Sequence, residues 1–271
     1  MGVVNMTPDS FSDGGQLVTG DAVMVDAAVS HGLALVDAGC DIVDVGGEST
    51  RPGADPVDPA EELRRVVPVV RRLTESGAVV SVDTRHVDVA AAAIDAGAAI
   101  VNDVTALADA DMATLVAESG VGVVLMHMRG VPQTMQENPS YGDVVAEIAA
   151  FLADRSDRAI AGGIDPGAIC VDPGIGFGKT TDHNLEILRH IDRFALLGYP
   201  VLIGTSRKGF LGRILEDSGV EAPPPAGRDA ATMATVALAI AHGASVVRVH
   251  DGAGAFQAAR IADAIVRSRR R

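Results

Sequence analysis

A short apolar run rich in Val and Ile, followed by an Ala-rich stretch with three-to-four spacing, recurs eight times along the chain. The runs are Met1–Asn5, Ile42–Gly46, Val79–Asp83, Ala99–Asp103, Val121–His127, Ala168–Asp172, Pro200–Gly204 and Ser245–His250. Each is apolar throughout and not alternating, the pattern of parallel strands covered on both faces. The stretches between them predict helices over Asp21–Ala38, Pro59–Ser76, Val87–Ala96, Asp111–Ser119, Tyr141–Gly162, His183–Leu197, Asp229–His242 and Gly254–Arg267. Gly39, Gly77, Gly97, Gly120 and Gly243 stand where left-handed C-terminal caps belong, and Asp58-Pro59 reads as an N-cap with proline at the first helical position. Eight strand–helix units in this length predict an α/β chain folded as a (β/α)8 TIM barrel, with a doubly wound open sheet as the alternative. No linker or composition shift divides the sequence, so residues 1–271 are expected to form a single domain. The three prolines in Ala222–Gly227 read as a stiff excursion within the seventh unit, and Arg267–Arg271 as a solvated tail.

Composition removes several classes of function. Acidic residues number 36 and basic residues 22, giving a net charge of −14, which argues against wrapping nucleic acid or sitting on anionic lipid. Any anionic substrate therefore needs a local cluster of cations. With no Trp, two Tyr and six Phe, an aromatic platform for single strands is not expected. No run approaches the roughly 18 apolar residues of a membrane span, and no basic-then-apolar leader opens the sequence. Cys40 and Cys170 end apolar stretches and are expected as reduced, buried thiols of a cytoplasmic protein.

Polar residues collect where the apolar runs stop. Asn5, Asp83, Asn102, Asp172, Lys208, Arg248 and His250 all lie at these C-terminal ends or just beyond, and a barrel would bring them to one mouth. Taken singly, Asp83 or Asp172 could be an N-cap and Asn102-Asp103 a turn. Capping does not account for Lys208, Arg248 and His250. Arg248 and His250 share one strand face, where an Arg must either pair with a carboxylate or serve an anion. Asp44 and Gly46 form a similar pair on the second strand, and Asp251 either orients His250 or caps the last helix. Thr205–Gly209 joins hydroxyls and cations at a helix start, a place suited to an anion. Asp172–Thr180 misses the phosphate-binding pattern GxxxxGK[ST] because Pro173 replaces its first glycine, so it is expected to be a flexible glycine-rich loop carrying an exposed Phe177. Met6–Gly20 and Gly46–Asp58 are long and polar and read as lids or binding loops. HExxH, CxxC and GxSxG are absent, and His127 between two methionines reads as a satisfied strand-end histidine.

The segments GVVNMTPDSFSDGG, DVGGESTRPG, SVDT, VNDV, LMHM, DPGIGFGKT, GTSRKGFLG and RVHD resemble, in order and across the whole chain, those of the dihydropteroate synthase family of pterin-binding enzymes. The resemblance implies a (β/α)8 barrel that joins p-aminobenzoate to 6-hydroxymethyl-7,8-dihydropterin diphosphate in folate synthesis, releasing pyrophosphate. It implies Mg²⁺ as cofactor, sulfonamides as inhibitors, a homodimer, and no nucleic-acid or membrane partner. Carried over by motif, Asp83, Asn102, Asp172 and Lys208 would hold the pterin, with Met126 flanking it. Asn5, Arg248 and His250 would hold the diphosphate, Asn5 also lying near the metal. Thr50, Arg51, Pro52, Phe177 and Ser206 would shape the p-aminobenzoate site. Lys208, Arg248, His250, Asp83 and Asp172 would carry catalysis, on an SN1-like path that needs no general base. The sequence departs from the family in starting at the first motif and in the glycine-rich GAGAF after RVHD. A folate-binding methyltransferase and a non-catalytic pterin binder are the other readings; SFSDGG and GTSRKG oppose the first, and the presence of Lys208, Arg248 and Asn5 opposes the second.

Overall fold

The computed structural model describes residues 1–6, 21–49, 53–54 and 56–268. Among these residues eight parallel strands alternate with helices: β1 (Gly2–Asn5), β2 (Val43–Gly46), β3 (Val80–Asp83), β4 (Ile100–Asp103), β5 (Gly122–Met126), β6 (Ile169–Asp172), β7 (Leu202–Ile203) and β8 (Val246–Val247). Strands β1 to β6 pair in chain order, and β7 pairs with β8. Single bridges join the two groups, Val171 to Val201 and Gly2 to Val249, so the barrel closes on itself. Across the second seam Val3 N donates to Val249 O and Val249 N to Met1 O, both at 3.0 Å. Every run named from the sequence contains its strand, which supports the barrel over the open sheet.

The helices are α1 (Asp21–Asp37), α2 (Pro59–Glu75), α3 (Val87–Asp95), α4 (Ala110–Ser119), α5 (Val144–Ala161), α6 (Thr181–Arg189), α7 (Ile191–Ala195), α8 (Gly209–Asp217), α9 (Asp229–Ala241) and α10 (Gly252–Ser268). Asp58 accepts from Ala60 N at 2.8 Å, as its N-cap reading requires. The predicted helix over His183–Leu197 is divided at His190, which leaves helical geometry at φ −121° and ψ 35°. Helix α8, given only a start by the sequence, fills the connection before the Pro-rich excursion. Large apolar side chains of the strands' outer faces and the helices form the main core, including Val45, Val82, Val101, Leu125, Val171 and Ile203. Inside the barrel, Met1, Val124 and Leu202 plug the lower end beside Ile42, Ile100, Cys170 and Val246. Polar side chains fill the other end. Both cysteines are free and half-buried, less enclosed than expected; burial still pushes the Cys170 thiol up to about 12.

Candidate active site

Strand register decides which polar side chains meet. Asp44 pairs with Ser81, Gly46 with Asp83, and Asp83 with Asn102, so β2, β3 and β4 present carboxylates and an amide at neighbouring levels. Arg248, just beyond β8, completes the ring. Its Nε donates to Asp44 Oδ2 at 2.6 Å and its Nη2 to Asp83 Oδ2 at 2.7 Å. Asn102 Nδ2 donates to the same Asp44 oxygen at 3.2 Å. Arg248 thus pairs with carboxylates through Nε and Nη2. The physical reason is solvation: a guanidinium inside the barrel needs a counter-charge, and two strand-end carboxylates supply it. Burial drives the Asp83 carboxyl upward against the pull of Arg248, and the two aspartates raise Arg248 in turn. Asp83 is not a helix cap, since α3 begins after His86 and draws no side-chain cap there. Asp103 does make a turn: its carboxylate accepts from Thr105 N at 2.8 Å and Leu107 N at 2.7 Å.

A second group surrounds Asp172. The carboxylate is buried, and its Oδ1 accepts from Gly174 N at 2.7 Å, which leaves Oδ2 for a ligand. Helix α6 starts only at Thr181, so Asp172 is not its cap. Burial raises its pKa, opposed by the nearby Lys208 charge. Buried Met126 lies beside it in register on β5. Lys208 occupies the N-cap of α8, half-buried, and donates to Ile175 O. Its Nζ sits 4.7 Å from the centre of the Phe177 ring. Burial brings the Lys208 pKa down to about 8, with the Asp172 charge holding it up.

The loop carrying Phe177 corrects the expectation of a flexible segment with an exposed ring. Phe177 is half-buried, and the backbone is held at both ends. Gly174 has φ +69°, and a Cβ there would stand 1.9 Å from His127 O; at Gly178, φ +66°, it would stand 2.4 Å from Arg129 O. Only glycine permits this approach, so the glycines here serve close packing and not mobility. Lys179 follows, 1% exposed, with its Nζ 3.0 Å from His127 Nδ1. His127 is therefore the satisfied strand-end histidine the sequence suggested.

A third group joins the last two strands. Ser206 Oγ lies 2.9 Å from His250 Nδ1 and accepts from His250 N at 3.0 Å. Asp251 accepts from Gly254 N at 3.0 Å, so it caps α10 as the second of its two readings held. Arg207, left-handed at φ +59°, turns away from the mouth and pairs with Asp229 at 2.7 and 2.8 Å. Of the two cations in that turn, Lys208 alone joins the Asp172 group. Asn5, half-buried, ends β1 beside Gly46. Thr50, Arg51 and Pro52 lie outside the described residues, as does Met6–Gly20 beyond Met6 and part of Gly46–Asp58.

The sequence reading did not place Asp44 and Lys179 in the site. Asp44 is fully buried and holds both Arg248 and Asn102. Its signal was the alternation of Asp44 and Gly46 on one strand face.

Comparison with known proteins settles the family. The description "Pterin binding enzyme" matches residues 1–250. The chain belongs to the pterin-binding enzyme family. It is 50% identical over 266 residues to the dihydropteroate synthase of Mycobacterium leprae, covering 97% of this chain and 92% of that one. It is 41% identical to the dihydropteroate synthase of Synechocystis, covering 98% and 90%. A Xanthomonas albilineans dihydropteroate synthase solved with 4-aminobenzoic acid superposes with a TM-score of 0.88 at 45% identity, covering 97% of this chain and 91% of that one. The same enzyme in complex with 7,8-dihydropteroate gives 0.85 at 43% identity, with 97% and 92% covered.

Proposed function

We infer that this chain is a dihydropteroate synthase. It condenses 6-hydroxymethyl-7,8-dihydropterin diphosphate with p-aminobenzoate to 7,8-dihydropteroate and pyrophosphate. Near-complete coverage by relatives of that activity supports this reading. The observation that carries it is the pairing, at one barrel mouth, of a buried acceptor edge with cations in a protein of net charge −14. A pterin presents adjacent N–H donors, for which Asp172 supplies a free oxygen, while Lys208 donates to the ring carbonyl and ring nitrogen. Asp83 and Asn102 take the opposite edge, and Met126 packs on the ring face. Arg248, His250 and Asn5 receive the diphosphate; Ser206, Phe177, Thr50, Arg51 and Pro52 shape the p-aminobenzoate side.

The C–O bond to the diphosphate breaks with its electron pair leaving on pyrophosphate, and a cation forms at the pterin methylene. Charge accumulates on the leaving oxygens, so contacts from Arg248 and His250 strengthen most in the transition state. The Asp172 carboxylate stabilises the cation. The amine of p-aminobenzoate, unprotonated at neutral pH, attacks the methylene and then sheds a proton to solvent, so no protein base is required.

Mg²⁺ fits the donors present. Among the described residues there is no cluster of three His, Cys, Asp or Glu side chains. A hard ion that keeps water and substrate phosphates needs few protein oxygens, and the Asn5 amide is one of the right type at the right strand end. Bound there, the ion would neutralise the leaving diphosphate.

Two further readings complete the proposal. Leu238 on α9 and Ile261 and Ile265 on α10 are exposed, 58%, 63% and 61%, on helices that pack together, which supports a homodimer through these two helices. No described helix is long and apolar enough to cross a membrane; the cytoplasmic location we propose rests on the two free cysteines, which suit a reducing compartment. The function is tested by incubating purified protein with both substrates and Mg²⁺ and weighing the product. A mass equal to 7,8-dihydropteroate, absent when p-aminobenzoate is omitted, is the expected result; unchanged substrates would refute the reading.

A further inference from the structure

Four consecutive carbonyls of the β6–α6 loop are each capped by a side chain. Lys208 Nζ donates to Ile175 O, Gln136 Nε2 to Gly176 O at 2.5 Å, Lys179 Nζ to Phe177 O at 2.9 Å, and Tyr141 Oη to Gly178 O at 2.9 Å. Three of the donors belong to residues outside the assigned pterin, diphosphate and p-aminobenzoate contacts. Lys179 is the one whose presence costs most. It is 1% exposed, yet its hydrogen-bond partners are all neutral: Phe177 O, His127 Nδ1 at 3.0 Å and, at longer range, His127 O at 3.4 Å. A buried ammonium is a costly filler when Met or Leu would occupy the same volume. What Lys179 does that an apolar chain cannot is tie the Phe177 carbonyl to the end of β5.

His127 makes this possible. Its Nδ1 accepts, so the ring is neutral with its proton on Nε2. Burial, with the Lys179 and Arg129 charges, holds its pKa down to about 3. The ring is fixed edge-on against Phe151 at 4.9 Å between centroids. The anchor is thus rigid, and it grips the residue whose ring lies under Lys208 Nζ.

We propose that Lys179, braced by neutral His127, is a positioning residue that sets the Phe177 ring for p-aminobenzoate. This rests on the assignment of Phe177 to that subsite above. Lys179 makes no hydrogen bond to the pterin-side residues. Asp172 is fixed by His127 N donating to its backbone O at 2.9 Å and Gly174 N to its carboxylate, and Lys179 reaches it only through charge. Loss of Lys179 therefore separates the two ligands, which a general loosening of the barrel would not do.

The test is a double-mutant cycle on the full-length protein, with KM for p-aminobenzoate measured at saturating pterin diphosphate and pterin affinity measured by calorimetry with 6-hydroxymethylpterin. Lys179→Met orphans the Phe177 carbonyl and the His127 lone pair, and should raise the p-aminobenzoate KM about tenfold with kcat and pterin affinity within about threefold. Phe177→Leu should raise the same KM, and the double variant should be no worse than the poorer single one. Lys179→Gln keeps two donors on a neutral amide and should recover most of the loss; it carries the cycle if the Met variant does not fold. Phe177→Leu at the wild-type KM would refute the subsite assignment. A raised KM in Phe177→Leu with Lys179→Met at the wild-type value, or effects that multiply in the double variant, would overturn the positioning role, as would an equal loss of pterin affinity.

Discussion

Replacing Asp172 by Asn separates what this carboxylate does for chemistry from what it does for folding. The side chains are nearly isosteric. Asn Oδ1 can still accept from Gly174 N, now 2.7 Å from the carboxylate, so the loop after β6 keeps its anchor. The second oxygen becomes an NH2 pointing at the N–H donors of the pterin. Two charge-assisted bonds are lost, each worth about 1.5–3 kcal/mol, for a total of about 3–6 kcal/mol. The negative charge facing the methylene cation is lost as well. At 1.36 kcal/mol per decade, the rate should fall by about 10²–10⁴. Stability should move the other way. Burial already raises the Asp172 pKa, so the folded protein gains by exchanging a desolvated carboxylate for a neutral amide. The assay pairs pyrophosphate release with thermal melting on the same preparation. Turnover within about fivefold of wild type at unchanged Tm would show that Asp172 does not bind the pterin.

Arg248→Ala should weaken the diphosphate ester about ten- to a hundredfold more than the pterin alcohol in calorimetry, and equal losses would refute the partition. Because it also strips fully buried Asp44 of its guanidinium, the same change should cost about 3 kcal/mol in urea unfolding, most of it recovered by adding Asp44→Asn. The kcat/KM for pterin diphosphate should fall as pH rises through about 8, where Lys208 loses its proton, and Lys208→Arg should abolish that alkaline limb; an identical limb in both proteins would remove Lys208 from the pH dependence. Burial lowers Lys179 to about 7 from its ordinary 10.5, so between those values the unfolded chain binds more protons and stability rises with pH. Wild type should therefore gain on Lys179→Met by up to about 1.4 kcal/mol per pH unit from pH 7 to 10, and a constant difference would show that Lys179 titrates normally.

The fold was legible because parallel strands leave a one-dimensional trace: eight apolar runs, each with a helix behind it, admit few closures. Asp83, Asn102, Asp172, Lys208, Arg248 and His250 were legible for a related reason, since a strand's C-terminal end is fixed by where its apolar run stops. Partnership was not. Asp44 and Arg248 are 204 residues apart, and nothing local says that one neutralises the other. The glycines of the β6–α6 loop read as flexibility because sequence shows what glycine permits; that His127 O and Arg129 O crowd against Gly174 and Gly178 is a property of the closed barrel. Lys179 looked like the end of a failed phosphate loop, and its burial depends on a histidine 52 positions earlier. The break at His190 and the extent of α8 escaped because short helices are set by packing more than by propensity.

The central claim is that this mouth brings p-aminobenzoate to a pterin diphosphate and expels pyrophosphate. Continuous pyrophosphate release, followed with and without p-aminobenzoate in the presence of Mg²⁺, tests it most directly. The account predicts sustained release that saturates with p-aminobenzoate, one pyrophosphate for each 7,8-dihydropteroate formed. Release that proceeds equally without p-aminobenzoate, or no release with both substrates present, would contradict it.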